Sequence, residues 1–122
     1  MARTQPRPAG VAGRARQFRV LARDLETREV YHLPVTGWEV RVPNPFDLRF
    51  FAHEPVSATI TDNVILSEYT TGMGASSGSS VAAAVRRMED ALAAGGGWSD
   101  FARLVTERVA EHGRANGEEV IS

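Results

Sequence analysis

The sequence predicts an α+β domain, a mostly antiparallel sheet of short strands with one or two helices packed on one face. Three observations carry this. Short apolar runs alternate with polar residues through residues 18–69, and Pro, Gly, Asn or Asp closes nearly every one. At Val81, Val85, Met88 and Leu92 the apolar spacing changes to four, three and four, the period of an amphipathic helix. After Gly95-Gly96-Gly97 a second stripe of Phe101, Leu104, Val105 and Val109 repeats that helical spacing. A run of strands followed by a run of helices reads as α+β rather than as alternating α/β.

The elements follow in order. Residues 1–17 are Arg, Pro, Gly, Ala, Thr and Gln with Val11 the only large aliphatic after Met1, too little apolar surface to offset ordering; they read as a disordered basic arm. A single domain then spans residues 18–113, and residues 114–122 form a polar tail expected to fray, with a short edge strand at 119–121 as the alternative. Phe18, Val20 and Ala22 alternate with Arg19, Leu21 and Arg23 in a first strand, and Asp24 to Thr27 makes a turn. A second strand over 28–33 is expected to end at Pro34, which has no amide proton. Val35-Thr36-Gly37 then reads as a turn into Trp38, Val40 and Val42, and Pro43-Asn44-Pro45 stops that strand.

Residues 47–53 place Leu48, Phe50 and Ala52 on one face and Arg49, Phe51 and His53 on the other. Apolar groups on both faces imply a strand covered on both sides, or Phe51 at an interface. Beyond Glu54-Pro55, residues 58–61 are expected to pair with 64–69 across Asp62-Asn63, whose residue types tolerate the left-handed region. Residues 70–80 read as a Gly/Ser loop, Ser79 or Ser80 as the cap of a helix to Ala94, and Ser99 as the cap of a second helix to His112, closed by Gly113.

Composition narrows the chemistry. At 122 residues the chain has room for one core. Cysteine is absent, which excludes disulfides, thiolate metal sites and a cysteine nucleophile. No apolar run approaches the roughly 18 residues of a spanning helix, and no secretory signal opens the chain, so the expectation is a cytoplasmic protein with no membrane contact. All fourteen basic residues are arginine. Five of them, and no acid, fall within residues 1–19, against nine arginines and fifteen acids in the rest. A basic arm of this kind suits phosphate contacts, which mobile arginines make as readily as folded ones.

Catalytic patterns are missing. Gly72, Gly74 and Gly78 precede a helix, but a dinucleotide fingerprint needs glycine where Ser77 stands, and a P-loop needs a lysine. Only a generic anion site at the amides of Ser79 to Val81 survives. Ser76, Ser77, Ser79 and Ser80 lack a base nearby in sequence, since His32, His53 and His112 are scattered over three elements and have no zinc-ligand spacing. No enzyme activity, cofactor or metal is expected.

Residues 64–92, VILSEYTTGMGASSGSSVAAAVRRMEDAL, resemble the core of HicB-type antitoxin domains and similar small phage and plasmid proteins. The positions that carry the resemblance are Ser67, Gly72, Gly78, Ser80, Ala84, Ala91 and Leu92. The resemblance implies a small sheet with one helix packed on it, used to bind a protein partner. Two functions follow as expectations. The first is a non-enzymatic, phage- or plasmid-like interaction or regulatory protein, able to form a homodimer, with Phe51, Trp98, Phe101 and Val105 as candidate partner contacts. The second is a nucleic-acid-binding accessory protein using Arg3, Arg7, Arg14, Arg16 and Arg19.

Overall fold

The computed structural model describes residues 14–55 and 63–117. Strands β1 (Arg16–Arg23), β2 (Val30–Val40), β3 (Phe50–His53), β4 (Val64–Glu68) and β5 (Gly74–Gly78) precede helices α1 (Val81–Ala94) and α2 (Gly97–His112). The strands form one antiparallel sheet in the order β1-β2-β3-β4-β5, with every neighbour also the next in sequence. The α+β architecture is thus the one the periodicity predicts. The hairpin placed at 58–61 lies outside the described residues, as does most of the arm.

Two breaks read from the sequence do not occur. The strand expected to end at Pro34, the turn at 35–37 and the start of the next strand are one continuous strand, β2. The reason lies in which way the backbone points. Pro34 faces Arg19, whose N–H and C=O both turn away from β2 to Asn116, so this is a pair that exchanges no ladder hydrogen bonds. The amide Pro34 lacks would point towards β3, whose pairing with β2 covers only Gly37 to Val40. The ladder is complete without it. Gly37 is where β2 passes from β1 to β3, and a Cβ on it would run into the Ala52 carbonyl oxygen. Glycine serves close strand approach here, not a turn.

The Gly/Ser loop is also corrected. Residues 74–78 form β5, paired with β4 from Val64↔Gly78 to Ser67↔Gly74 with a bulge between Leu66 and Ser67. GASSG has little intrinsic strand preference. Its small side chains instead let α1 lie close, since a Cβ on Gly78 would meet the Ala84 nitrogen at 2.7 Å and the Ser76 hydroxyl donates to the Ala84 carbonyl. Of the two serines read as caps, Ser79 and Ser80, it is Ser80 that caps α1, accepting from the Ala83 amide. Helix α2 begins at Gly97, before Ser99, with Gly96 at its cap position and no side-chain capping bond.

Directly paired residues share a face, so the sheet sorts its apolar groups into two layers. On one face Val40, Phe50, Ala52, Val64 and Leu66 meet Val81, Ala84 and Met88 of α1. Trp98 and Phe101 of α2 both reach Phe50, with ring centroids 6.0 Å away. On the other face Phe18, Val20 and Phe51 form a smaller cluster joined by Leu33, Val35 and Tyr69. Phe18 and Phe51 stack at 4.4 Å with planes 6° apart. Each fully buried phenylalanine contributes roughly 1.5–3 kcal/mol relative to an exposed one.

The second cluster is sealed because the sheet curls. The Leu21 amide donates to the Gly72 carbonyl, and Asn116 bonds both Arg19 and Tyr69, so the outer edge of β1 meets the turn that follows β4. That turn is built on a buried carboxylate. Glu68 accepts from the amides of Thr70 and Thr71 and from the Thr71 hydroxyl, each at 2.8 Å. A buried acid is tolerated there because its oxygens are held by turn donors. Residues 114–117, expected to fray, are part of this closure, with Ala115 and Asn116 buried.

Candidate nucleic-acid interface

Arg3 and Arg7 lie outside the described residues. Arg14 is exposed just before β1, and Arg16 and Arg19 are exposed on β1 itself. The two strand arginines line a shallow polar cavity of about 410 Å³ together with Gln17, Phe18, Tyr69, Asn116 and Gly117. Among the described residues, no acid lines it.

Arg49 joins Arg16 through the sheet register. Glu39 follows the Gly37 crossing on β2 and sits opposite Phe51. Its carboxylate accepts from Arg49 in a two-pronged contact, Nε at 2.8 Å and Nη2 at 3.1 Å, and from Arg16 Nη2 at 3.1 Å. Each guanidinium also rests on a ring. Arg49 lies 3.9 Å from the Tyr69 centroid and Arg16 4.9 Å from that of Phe18. The hydrogen bond from Arg49, with the charges of Arg49, Arg16 and Arg41 behind it, holds the Glu39 carboxyl below its usual range. Glu39 is therefore ionised, and it is one anion among three cations.

A larger hollow, about 520 Å³, lies between Leu21, Arg23 and Val30 of the first hairpin and the end of α2. There Arg108 donates to Glu111 at 2.9 Å, so its charges are mixed and partly matched. The helix C-terminus adds negative potential. Of the two hollows, the one bordered by Arg16 and Arg19 is the better anion site.

The remaining candidates fall elsewhere. Phe51 is fully buried on Phe18, which resolves the two-sided strand as one covered on both faces, not as an exposed contact. Val105 is buried, and Trp98 and Phe101 are half-buried against Phe50. Beside the anion site read at Ser79 to Val81, the Ser80 hydroxyl accepts from the Ala83 amide, which is not one of that site's amides. The small residues of the antitoxin-like stretch have local roles: Ser67 bonds His53, Gly72 approaches β1, Gly78 approaches α1, and Ala84 is buried on the sheet-facing side of α1.

One pair escaped the sequence. His53 Nε2 lies 2.9 Å from the Ser67 hydroxyl, and Nδ1 lies 2.8 Å from the Glu54 carbonyl. The carbonyl only accepts, so the ring proton sits on Nδ1 and Nε2 accepts from Ser67. Burial holds the His53 pKa below its ordinary value, against a smaller opposing effect of the Glu54 bond. The arrangement has the form of a serine–histidine pair, yet both side chains are buried and neither borders either hollow. It cross-links β3 to β4. The cross-strand spacing that brings 53 to 67 depends on pairing across the segment 54–63, which no local motif announces. Among the described residues no group of three or more His, Asp or Glu is placed to hold a metal ion, and no helix is long and apolar enough to cross a membrane.

Comparison of the chain with protein-family models, with curated proteins and with solved structures finds no match.

Proposed function

We propose that this protein binds nucleic acid through its phosphate backbone, using the arginine-bearing edge formed by β1 and the ring-stacked arginines beside it. The observation that carries the reading is the convergence of Arg16 and Arg49 on Glu39 at one face of the sheet, each guanidinium against a ring, Phe18 or Tyr69, beside a cavity that Arg16 and Arg19 border and that no acid lines among the described residues. Arginine suits phosphate because its planar fork matches two oxygens, and stacking on a ring orients it before the ligand arrives. Arg14, with Arg3 and Arg7 further along the arm, adds charge that sequence-independent binding uses.

The test is anisotropy of a labelled oligonucleotide, single-stranded and duplex, titrated with the full chain between about 50 and about 200 mM salt. Binding should weaken steeply with salt, and the double substitution Arg16→Ala, Arg19→Ala should lower the log–log salt slope by about 0.7–0.9 for each phosphate that is no longer neutralised. Deleting residues 1–13 should weaken binding further. Affinity that ignores salt, or that survives the double substitution and the deletion unchanged, would overturn the reading.

A second reading, a protein-binding regulator of the phage or plasmid type, rests on the exposed Leu25 and Tyr31 of the first hairpin and on the antitoxin-like stretch. It expects a complex or homodimer by light scattering that Leu25→Glu dissociates. A monomer at high concentration that retains no defined partner would remove it.

A further inference from the structure

Among the described residues, Glu39 is the one acid within a cluster that otherwise suits an anionic ligand. Two guanidiniums direct three N–H groups at its carboxylate, and each is also held by an aromatic ring that does not depend on Glu39. The side chains of Arg16, Arg49 and Glu39 are 51 %, 46 % and 41 % exposed. An exposed ion pair is weakly held and exchanges with solvent without unfolding of the sheet.

We infer that the Glu39 carboxylate stands in the place of a nucleic-acid phosphate, so that a phosphodiester displaces it from Arg16 and Arg49 on binding. This rests on the nucleic-acid reading above. A carboxylate and a phosphodiester each present two anionic oxygens to an arginine fork, and the geometry that fits one fits the other. The rings keep both guanidiniums aimed outward while the exchange occurs. Glu39 then acts as a competitor built into the site. It lowers affinity for weakly held phosphate, and it prevents two adjacent arginines from facing each other unbalanced when the site is empty.

The experiment compares wild type, Glu39→Gln and Glu39→Asp in the same oligonucleotide titration, with thermal melts of each variant as the control for folding. Glu39→Gln removes the charge but keeps an acceptor. It should bind about fivefold more tightly at low salt, the scale of one unit charge a few ångströms away in water, and lose that advantage as salt rises. Glu39→Asp keeps the charge and should stay near wild type. Adding Arg49→Ala to Glu39→Gln should abolish the gain. If wild type binds with the expected salt dependence but Glu39→Gln binds equally or less tightly, the inference falls and the nucleic-acid reading stands. Equal weakening by Gln and Asp would also overturn it, because that marks a structural role. An oligoglutamate peptide that gains more from Glu39→Gln than an oligonucleotide of equal charge would assign the site to an acidic protein instead. If no variant binds any oligonucleotide, the reading and the inference fall together.

Discussion

Asn116 and Arg19, 97 residues apart in the chain, grip each other's polar groups as two strands would: the Arg19 amide donates to Asn116 Oδ1 at 2.8 Å, and Asn116 Nδ2 donates to the Arg19 carbonyl at 2.9 Å. The same Nδ2 donates to the Tyr69 carbonyl at 2.8 Å. One side chain thus occupies the outer edge of β1 and ties it to the turn after β4. An unpaired edge would be open to other chains, and the arrangement closes part of it.

Replacing Asn116 with Ala leaves three backbone groups near the arginine cavity without that partner. The expected loss is about 2–3 kcal/mol of unfolding free energy, measured in urea. Asn116→Asp keeps the acceptor for Arg19 but removes both donations, and its stability should fall between wild type and Ala. A loss below about 0.5 kcal/mol for Ala would show that water replaces the side chain at no cost.

Gly72 and Gly74 should respond oppositely to alanine. At Gly72 φ is +72°, and a Cβ would stand 2.7 Å from the Arg19 carbonyl oxygen and 2.8 Å from the Leu21 nitrogen. Strain and clash together should cost about 3 kcal/mol or more. A Cβ on Gly74 meets nothing within 4 Å. Gly74→Ala should be neutral or stabilise by up to about 1 kcal/mol by restricting the unfolded chain. Thermal melts of the two variants side by side give the comparison.

His53 should make stability depend on pH. Burial lowers its folded-state pKa below the ordinary 6.5, so the unfolded chain takes up the proton more readily. The contribution of neutral His53 is therefore fully present above about pH 6.5 and is lost as pH falls below it, at no more than about 1.4 kcal/mol per pH unit. His53→Gln remains uncharged and still offers Ser67 an acceptor. Its unfolding free energy between pH 7.5 and 5, measured in urea, should fall less than that of wild type. Identical slopes would show that His53 does not titrate in this window.

Local chemistry along the chain is enough to specify the α+β class, the strand at 18–23, a serine cap at Ser79 or Ser80 and the two helices with their glycine boundaries. Each depends on near neighbours: period-two alternation, a hydroxyl accepting an early helix amide, the helical spacing of Val81, Val85, Met88 and Leu92, and a glycine past the last turn. The arginine-rich start is equally legible, and two of its members, Arg16 and Arg19, lie at the cavity. Whatever depends on a neighbour in space waits for the folded chain. Pro34 reads as a strand end until its partner strand shows that no hydrogen bond was needed there. Gly74–Gly78 reads as a loop until β4 supplies the ladder and α1 explains the small side chains. Phe51 becomes core because β1 curls back over it, and Glu39 meets Arg16 and Arg49 because β2 pairs with β1 and β3 on either side of Gly37. Register is set by pairing between distant segments, so the contacts it creates have no signature in either segment alone.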